Sequence, residues 1–241
     1  MRRRRSLILV FFMLLVPVLI VAAVLAVLVK QEPAFYTTAR CPADWNTRDR
    51  AARLMMRVQD LKNDIRSKPV WGDTFSAEDL NCFFQENMGR KDQGLCTLLP
   101  DEVHSPRVAI EGNRIKLGFR YREGLWSTVG WIEMQVWLVA NDTNVVAVEI
   151  CDLRAGGLPI GSQSILEAIS EAARDSNIEV TWYRNKTHPV GLFKFYADQT
   201  RPSAQILTLD VKDGHITIAG RSFLEATSGY PPAGIPPELE P

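Results

Sequence analysis

The sequence predicts an α+β protein, in which an N-terminal transmembrane helix precedes a mainly antiparallel sheet, free to curve, with two or three packed amphipathic helices. Three observations carry this prediction. An uncharged run of 23 residues extends from Leu7 to Val29. Three later segments place apolar residues at helical spacing, and most of the remaining chain alternates apolar and polar residues between short turns.

The uncharged run is long enough to cross a bilayer, because about 20 apolar helical residues span the hydrocarbon core. Pro17 lies inside the run, which a membrane helix tolerates. A cleaved signal peptide is the alternative, but its apolar core is usually about 7–15 residues long and ends at a small-residue cleavage site. The longer run favours an uncleaved anchor, residues 1–30, that contacts the lipid bilayer through residues 7–29.

A basic cluster ahead of the run sets the predicted topology. Lys- and Arg-rich flanks stay on the cytoplasmic side of a membrane. We therefore expect a single-pass protein of the plasma (inner) membrane, with a cytoplasmic N-terminus and an extracytoplasmic bulk domain. The cluster consists of Arg2, Arg3, Arg4 and Arg5.

The charge of the remaining chain argues against a nucleic-acid partner. The chain has 28 basic and 28 acidic residues, and residues 1–30 hold five of the basic ones and none of the acidic ones. The rest therefore has 23 basic against 28 acidic residues, a net charge of −5. It lacks the basic footprint of a nucleic-acid binder.

The four cysteines do not have the spacing of a metal site, since no CxxC pair occurs among Cys41, Cys82, Cys96 and Cys151. Outside the cytoplasm, disulfides become available. We favour a Cys82–Cys96 disulfide, because it closes a short loop after a helix. The alternative is that all four are small buried hydrophobic residues.

Residues 31–45 are predicted to form a linker, and a helix is predicted over 46–67. This helix fits either a juxtamembrane coiled-coil seam or a helix lying on the domain. Its apolar stripe consists of Ala51, Leu54, Val58, Leu61 and Ile65, at alternating spacings of three and four.

A second helix is predicted over 76–88, within the segment TFSAEDLNCFF. Ser76 and Asp79 have the spacing of a capping box, and Glu78 in the first turn suits the helix dipole. The predicted buried face consists of Leu80, Phe83 and Phe84. This interpretation assigns no partner to Asn81, which helix propensity disfavours. A third helix is predicted over 163–174.

Three hairpins are predicted from alternation and turn chemistry. Gly112–Asn113, a three-residue turn beginning near Asn141, and Asp213–Gly214 provide the loops. The registers that match apolar with apolar residues are Val108 with Leu117, Ile110 with Ile115, Leu138 with Val146, Val136 with Val148, Met134 with Ile150, Val211 with Ile216, and Leu209 with Ile218.

A surplus of aromatic residues on the strands makes a ligand groove one interpretation. The candidate ligand-binding residues are Trp131, Trp137, Phe193 and Phe195. A curved sheet can enclose an acyl chain, which would require an apolar cavity of about 300 Å³ or more. The alternative, which we favour, is that the helix predicted over 46–67 or a protein partner covers this face.

No motif for a catalytic, metal or cofactor site is present. The glycine-rich segment 156–161 lacks the Lys of a phosphate loop and more simply connects a strand to a helix. Glu133 and Asp152 are expected to be neighbours in the long hairpin, as paired carboxylates on a sheet surface. The three histidines, His104, His188 and His215, are separated in sequence. Two N-x-T sequons begin at Asn141 and Asn185, in predicted turns.

Two short motifs resemble those of the YpmS-like family of small membrane-anchored bacterial surface proteins. They are Phe75-Ser76-Ala77-Glu78-Asp79-Leu80-Asn81 and Gly157-Leu158-Pro159-Ile160, and the similarity would cover about residues 70–220. The resemblance implies a topology and a fold, not a reaction. The four cysteines, the preceding amphipathic helix and the Pro-rich tail depart from the family pattern.

These predictions define an anchor (1–30), a linker (31–45), an extracytoplasmic α+β domain (46–222) and a Pro-rich disordered tail (223–241). The leading functional hypothesis is a membrane-anchored scaffold or accessory domain that binds protein partners without catalysis or a cofactor. The alternative is a lipid or apolar-ligand binder, and a hydrolase with an unrecognised site ranks third.

Overall fold

The computed structural model of the chain describes residues 2–42, 44–87, 103–123, 126–185, 188–195 and 202–223. Over these residues it is an α+β fold with antiparallel sheets, as predicted. Cys96 and the tail beyond Phe223 lie outside the described residues.

The helices are α1 (Arg2–Lys30), α2 (Ala34–Thr38), α3 (Trp45–Ser67), α4 (Ala77–Asn87) and α5 (Gln163–Asp175). The strands are β1 (Val70–Ser76), β2 (Val103–Glu111), β3 (Arg114–Glu123), β4 (Trp126–Leu138), β5 (Val145–Ala155), β6 (Leu158–Pro159), β7 (Glu179–Asn185), β8 (His188–Lys194), β9 (Ala204–Lys212) and β10 (His215–Ser222).

Helix α1 is long and apolar enough to span a membrane. Within the stretch Leu15–Thr38, an 18-residue window has a mean hydropathy of 2.1, and no residue of that window is buried. Val18 and Val27, for example, are 63% and 70% exposed. Contiguous apolar exposure on this scale is unusual for the surface of a water-soluble domain.

Two sheets form the rest of the fold. The larger has the strand order β2-β3-β4-β5-β8-β7, with β6 paired to the end of β5, and it does not close into a barrel. The smaller has the order β1-β10-β9. The predicted registers of all three hairpins are confirmed, residue for residue. A one-residue slip would have moved every apolar side chain of a strand to its other face.

One face of the large sheet forms the core. At one end, α4 and the small sheet cover it, around a cluster that includes Val108, Ile110 and Val211. At the other end, α5 covers it, around Ile132 and Ile150. This face will be called the core face, and the opposite face the outer face.

Helix α3 lies on the domain, which was one of the two arrangements predicted for it; the other was a coiled-coil seam. Asp44 caps its start by accepting a hydrogen bond from the Thr47 N–H at 2.8 Å. Ala51 and Leu54 are buried, and α3 packs against α4 and β1. Arg57 ties α3 to β1 through an ion pair with the Asp73 carboxylate.

The disulfide differs from the prediction. Cys82 pairs with Cys41, at a Cα–Cα distance of 5.7 Å, rather than with Cys96. The prediction relied on the short loop between Cys82 and Cys96. In the structure, the packing of α3 against α4 instead brings the residues ahead of α3 to the buried side of α4, where Cys82 is only 1% exposed.

The start of α4 is capped as predicted, but its buried face differs in part from the predicted one. Ser76 caps the helix, since its Oγ accepts a hydrogen bond from the Asp79 N–H at 3.0 Å. Leu80 and Phe84 pack against the core cluster, as predicted, but they and Phe83 are only half-buried. The buried residues of the helix are instead Asn81 and Cys82. The helix is rotated so that Asn81 reaches β2.

Two buried asparagine side chains join separate parts of the fold. The amide of Asn81 donates to the Val108 carbonyl and accepts from the Val108 N–H, both at 2.8 Å. The amide of Asn144, in the turn before β5, donates to the Ala204 carbonyl at 2.7 Å and accepts from the Ile206 N–H at 2.8 Å. Each amide thus forms hydrogen bonds with backbone groups of an edge strand, β2 or β9, in place of a neighbouring strand.

We predict that Asn81→Ala lowers the free energy of unfolding by about 2–3 kcal/mol, because it leaves a buried N–H and carbonyl of Val108 unpaired. Gln85→Ala, an exposed site on the same helix, is the matched control and should change stability little. Thermal unfolding of the full chain in detergent measures both. Equal stability of the two variants would contradict the bridging role of Asn81.

Candidate functional site

The end of α1 is held by the large sheet. The last carbonyl groups of a helix have no partner within the helix. Here the Gly157 N–H donates to the Leu28 carbonyl at 2.8 Å, and the Thr128 hydroxyl donates to the Val29 carbonyl at 2.6 Å. We call this contact the helix junction. The sheet therefore completes the hydrogen bonding of the helix end.

The turn between β5 and β6 reaches the helix because it consists of two glycines. Gly156 has φ +60°, in the left-handed region that favours glycine. A Cβ on Gly156 would lie 2.5 Å from the Leu28 carbonyl oxygen and closer still to that of Val29. From the sequence, this segment was interpreted only as a connection from a strand to a helix. The structure adds its contact with α1.

The segment predicted as a linker packs on the outer face of the sheet. Helix α2 buries Phe35 and Tyr36, with Tyr36 fully inaccessible to solvent. The Tyr36 hydroxyl donates to the Ser105 carbonyl at 2.7 Å, and the Arg107 guanidinium lies 4.2 Å from the Tyr36 ring centroid. Burial raises the pKa of Tyr36, and the charges of Arg107 and Arg120 oppose that rise. Residues 31–45 therefore contain a second attachment next to the helix junction.

Trp131 belongs to this attachment rather than to a ligand groove. Its ring lies 5.8 Å from that of Phe35, edge to face. Its indole N–H donates to the Gly156 carbonyl at 3.0 Å. Trp131 thus connects α2 to the glycine turn that holds α1.

The structure does not bring the other candidate aromatic residues together. Phe193 lies against Trp182, with 6.1 Å between ring centroids, on the core face beside α5. Phe195 follows β8, and its N–H donates to the Asn144 carbonyl at 3.0 Å. Trp137 is on the outer face of β4, far along the strand from Trp131.

Trp137 lines an open groove of about 410 Å³ on the outer face. We call it the β7 groove, because half of its lining comes from that strand. Its lining residues are Trp137, Tyr183, Arg184, Asn185, Val190 and Leu192. Tyr183 is 57% exposed and Val190 is buried, so the groove has an apolar floor and a polar rim. Its volume exceeds the cavity that a lipid ligand requires, but it is open to solvent.

A second depression of about 410 Å³ lies between the disulfide and β2. Its walls include Arg40, Glu78 and Asn81 together with Pro42 and Ile110. Glu78 is already paired with Arg50 at 2.8 Å, and the Asn81 amide with Val108. The Glu78 carboxylate and the Asn81 amide are therefore occupied by structural contacts.

The described residues do not assemble a metal centre. No group of three or more His, Cys, Asp or Glu side chains within them has metal-binding geometry. The expected proximity of Glu133 and Asp152 is confirmed, since they are paired across β4 and β5. Each forms an ion pair, Glu133 with Arg114 and Asp152 with Arg154.

A histidine and a thiol lie near this pair without forming a nucleophilic site. His188 Nδ1 is 3.0 Å from Glu149 Oε1, while His104 and His215 lie on β2 and β10. Burial raises the pKa of the Cys151 thiol; Arg114 opposes the rise, and Glu149 adds to it. A raised thiol pKa is the opposite of what a cysteine nucleophile needs.

Comparison of the chain with family models, curated proteins and solved structures found no match.

We predict that Gly156→Ala opens the helix junction and increases tryptic cleavage after Lys30 in detergent. The added Cβ meets the α1 carbonyls, and the positive φ costs about 1 kcal/mol for a non-glycine residue.

Two glycines provide controls for this experiment. Gly112 has φ +57° but open space around it, and Gly161 has neither the positive φ nor a neighbour within 4 Å. Gly112→Ala isolates the backbone strain, and Gly161→Ala isolates the substitution. Faster cleavage of Gly112→Ala, to the same extent as Gly156→Ala, would show that contact with α1 is unimportant.

Proposed function

We propose that the protein is a single-pass plasma-membrane protein with a cytoplasmic N-terminus, and that its extracytoplasmic domain is a non-catalytic scaffold or accessory module for a protein partner. The apolar, unburied α1 and its arginine cluster support the anchoring and the orientation. The same topology is what the resemblance to the YpmS-like family implies. The observation that carries the partner hypothesis is a sheet edge without a proline or a bulge, β7, beside an aromatic groove.

Strand β7 ends the large sheet and pairs only with β8 among the described strands. Edge strands expose unpaired N–H and carbonyl groups, and natural proteins protect them with proline, bulges or covering elements. The other edge, β2, has all three: Pro106, a register shift between His104 and Arg107, and contacts with α4. Strand β7 has neither a proline nor a shift against β8, although α5 contacts it, with the Trp182 indole donating to the Ser170 hydroxyl.

The groove lies on the sheet side of β7, with Tyr183 at its β7 wall and Trp137 on β4 at its far side, so a segment paired to β7 would reach it with long side chains directed over the sheet. In strand addition, main-chain hydrogen bonds supply affinity and pockets for alternate side chains supply specificity. Tyr183 and Trp137 offer the large amphipathic surfaces that are enriched at protein interfaces. Arg184 and Asn185 at the rim are exposed and favour a partner segment with polar or acidic residues. An extended segment of a partner protein, laid along β7, satisfies these features together.

Lipid binding is the second candidate, and the volume of the groove supports it. A volume of about 410 Å³ lies within the usual range for small-ligand sites. Its openness and its polar rim favour a protein segment over an acyl chain, which would leave much apolar surface in water.

We predict that a photoreactive amino acid at Tyr183 in native membranes gives a discrete protein adduct. Trp137→Ala should strongly reduce that adduct, because truncating an interface aromatic residue commonly costs about 2 kcal/mol, or roughly 30-fold in affinity. The same photoreactive residue at Leu207, 53% exposed on β9, is the control. Identical adducts at both positions, or an adduct at Tyr183 that Trp137→Ala leaves unchanged, would contradict binding at β7.

A further inference from the structure

We infer that the domain makes a second contact with the bilayer, outside α1, through the turn that follows the helix junction, residues 157–161. This inference rests on the proposed membrane anchoring. Its partner is the lipid interface, the layer where headgroups meet acyl chains. The exposed side chain at the centre of this contact is Ile160.

The length of α1 places the helix junction at the edge of the hydrocarbon layer. The 23 uncharged residues from Leu7 to Val29 extend about 35 Å as a helix, compared with about 30 Å for the bilayer core. Leu28 and Val29, whose carbonyls the sheet binds, therefore lie at or just inside the boundary. An unpaired carbonyl at that depth is costly, which makes the bonds from Gly157 and Thr128 valuable there.

The turn is fixed next to this boundary. Leu158 and Pro159 pair with Ala155 and Arg154 on β5, and the Ile160 N–H donates to the Leu153 carbonyl at 3.1 Å. Ile160 is three positions beyond Gly157, so their Cα atoms are at most about 10 Å apart. The interface on each side of a bilayer is about 5–8 Å thick. The turn is therefore fixed to the sheet within about 10 Å of the helix junction.

The composition of the turn suits that position. Ile160 is 41% exposed and Pro159 is exposed, although both follow a strand that is paired and ordered. In water such exposure carries an unfavourable hydration cost, whereas the headgroup–acyl boundary accepts apolar side chains. Lys30 is exposed at the end of α1, where its charge can reach the headgroup layer.

The test uses the full chain in liposomes of phosphatidylcholine and phosphatidylglycerol. An environment-sensitive fluorophore is attached to Ile160→Cys, with Cys96 and Cys151 changed to serine so that only the introduced thiol reacts. Leu207→Cys, exposed on β9, is the control for the water-facing surface, and Val24→Cys, exposed on α1, is the control for the anchor. Quenching by nitroxide-labelled lipids is measured at each position.

We expect emission from position 160 to be shifted to the blue and quenched by the labelled lipids, between the values at positions 24 and 207. Emission at 160 that matches 207, while position 24 is quenched, would overturn the second contact and leave the anchor intact. Absence of quenching at position 24 would overturn the anchoring itself and this inference with it. Unchanged thermal unfolding of each labelled chain confirms that the substitutions preserve the fold.

Discussion

The hydrogen bonds from Gly157 and Thr128 to the last carbonyls of α1 determine how the rest of the molecule is arranged. They join an exposed apolar helix to a folded sheet without an intervening flexible segment. The neighbouring attachment, in which Trp131 contacts both Phe35 and Gly156, reinforces the same point of the sheet. Because these contacts are local and consecutive, the orientation of the domain relative to α1 is set by the sheet itself.

The large sheet serves different purposes on its two faces. Its core face is covered by α4, α5 and the small sheet, whose contacts supply most of the burial. Its outer face holds α2 at one end and leaves the β7 groove open at the other. The attachment to α1 and the exposed edge therefore lie at separate places on one rigid element. This separation is what the proposed function requires, since it would let the domain be held at a membrane while β7 stays accessible to a partner.

The sequence was most informative where the chain folds locally. Hairpin registers such as Val108 with Leu117 follow from a period of two and from turn residues, and the Ser76 cap follows from its spacing of three positions from Asp79. Contacts between distant segments were not predictable in this way. Thr128 and Val29 are 99 residues apart, and no periodicity connects them. Phe35 and Tyr36 were the available signal, as an aromatic pair shortly after the uncharged run, but a linker has no pattern that shows where it docks.

Loop length favoured the wrong partner for Cys82, because helix packing rather than chain proximity decides which cysteines meet. The four candidate aromatic residues do not form one site for a similar reason. Alternation along a strand places Trp131 and Trp137 on one face of the sheet, but it does not show which end of that face is covered.

The distance between α1 and the domain, measured between spin labels at Val24→Cys and Leu207→Cys in lipid nanodiscs, tests the central claim most directly. Both sites are exposed, and serine at Cys96 and Cys151 prevents labelling elsewhere. A fixed helix junction predicts a single narrow distance distribution, limited mainly by the motion of the labels. A free linker over residues 31–45 would spread the distance over roughly 20 Å. Such a broad distribution would contradict the account.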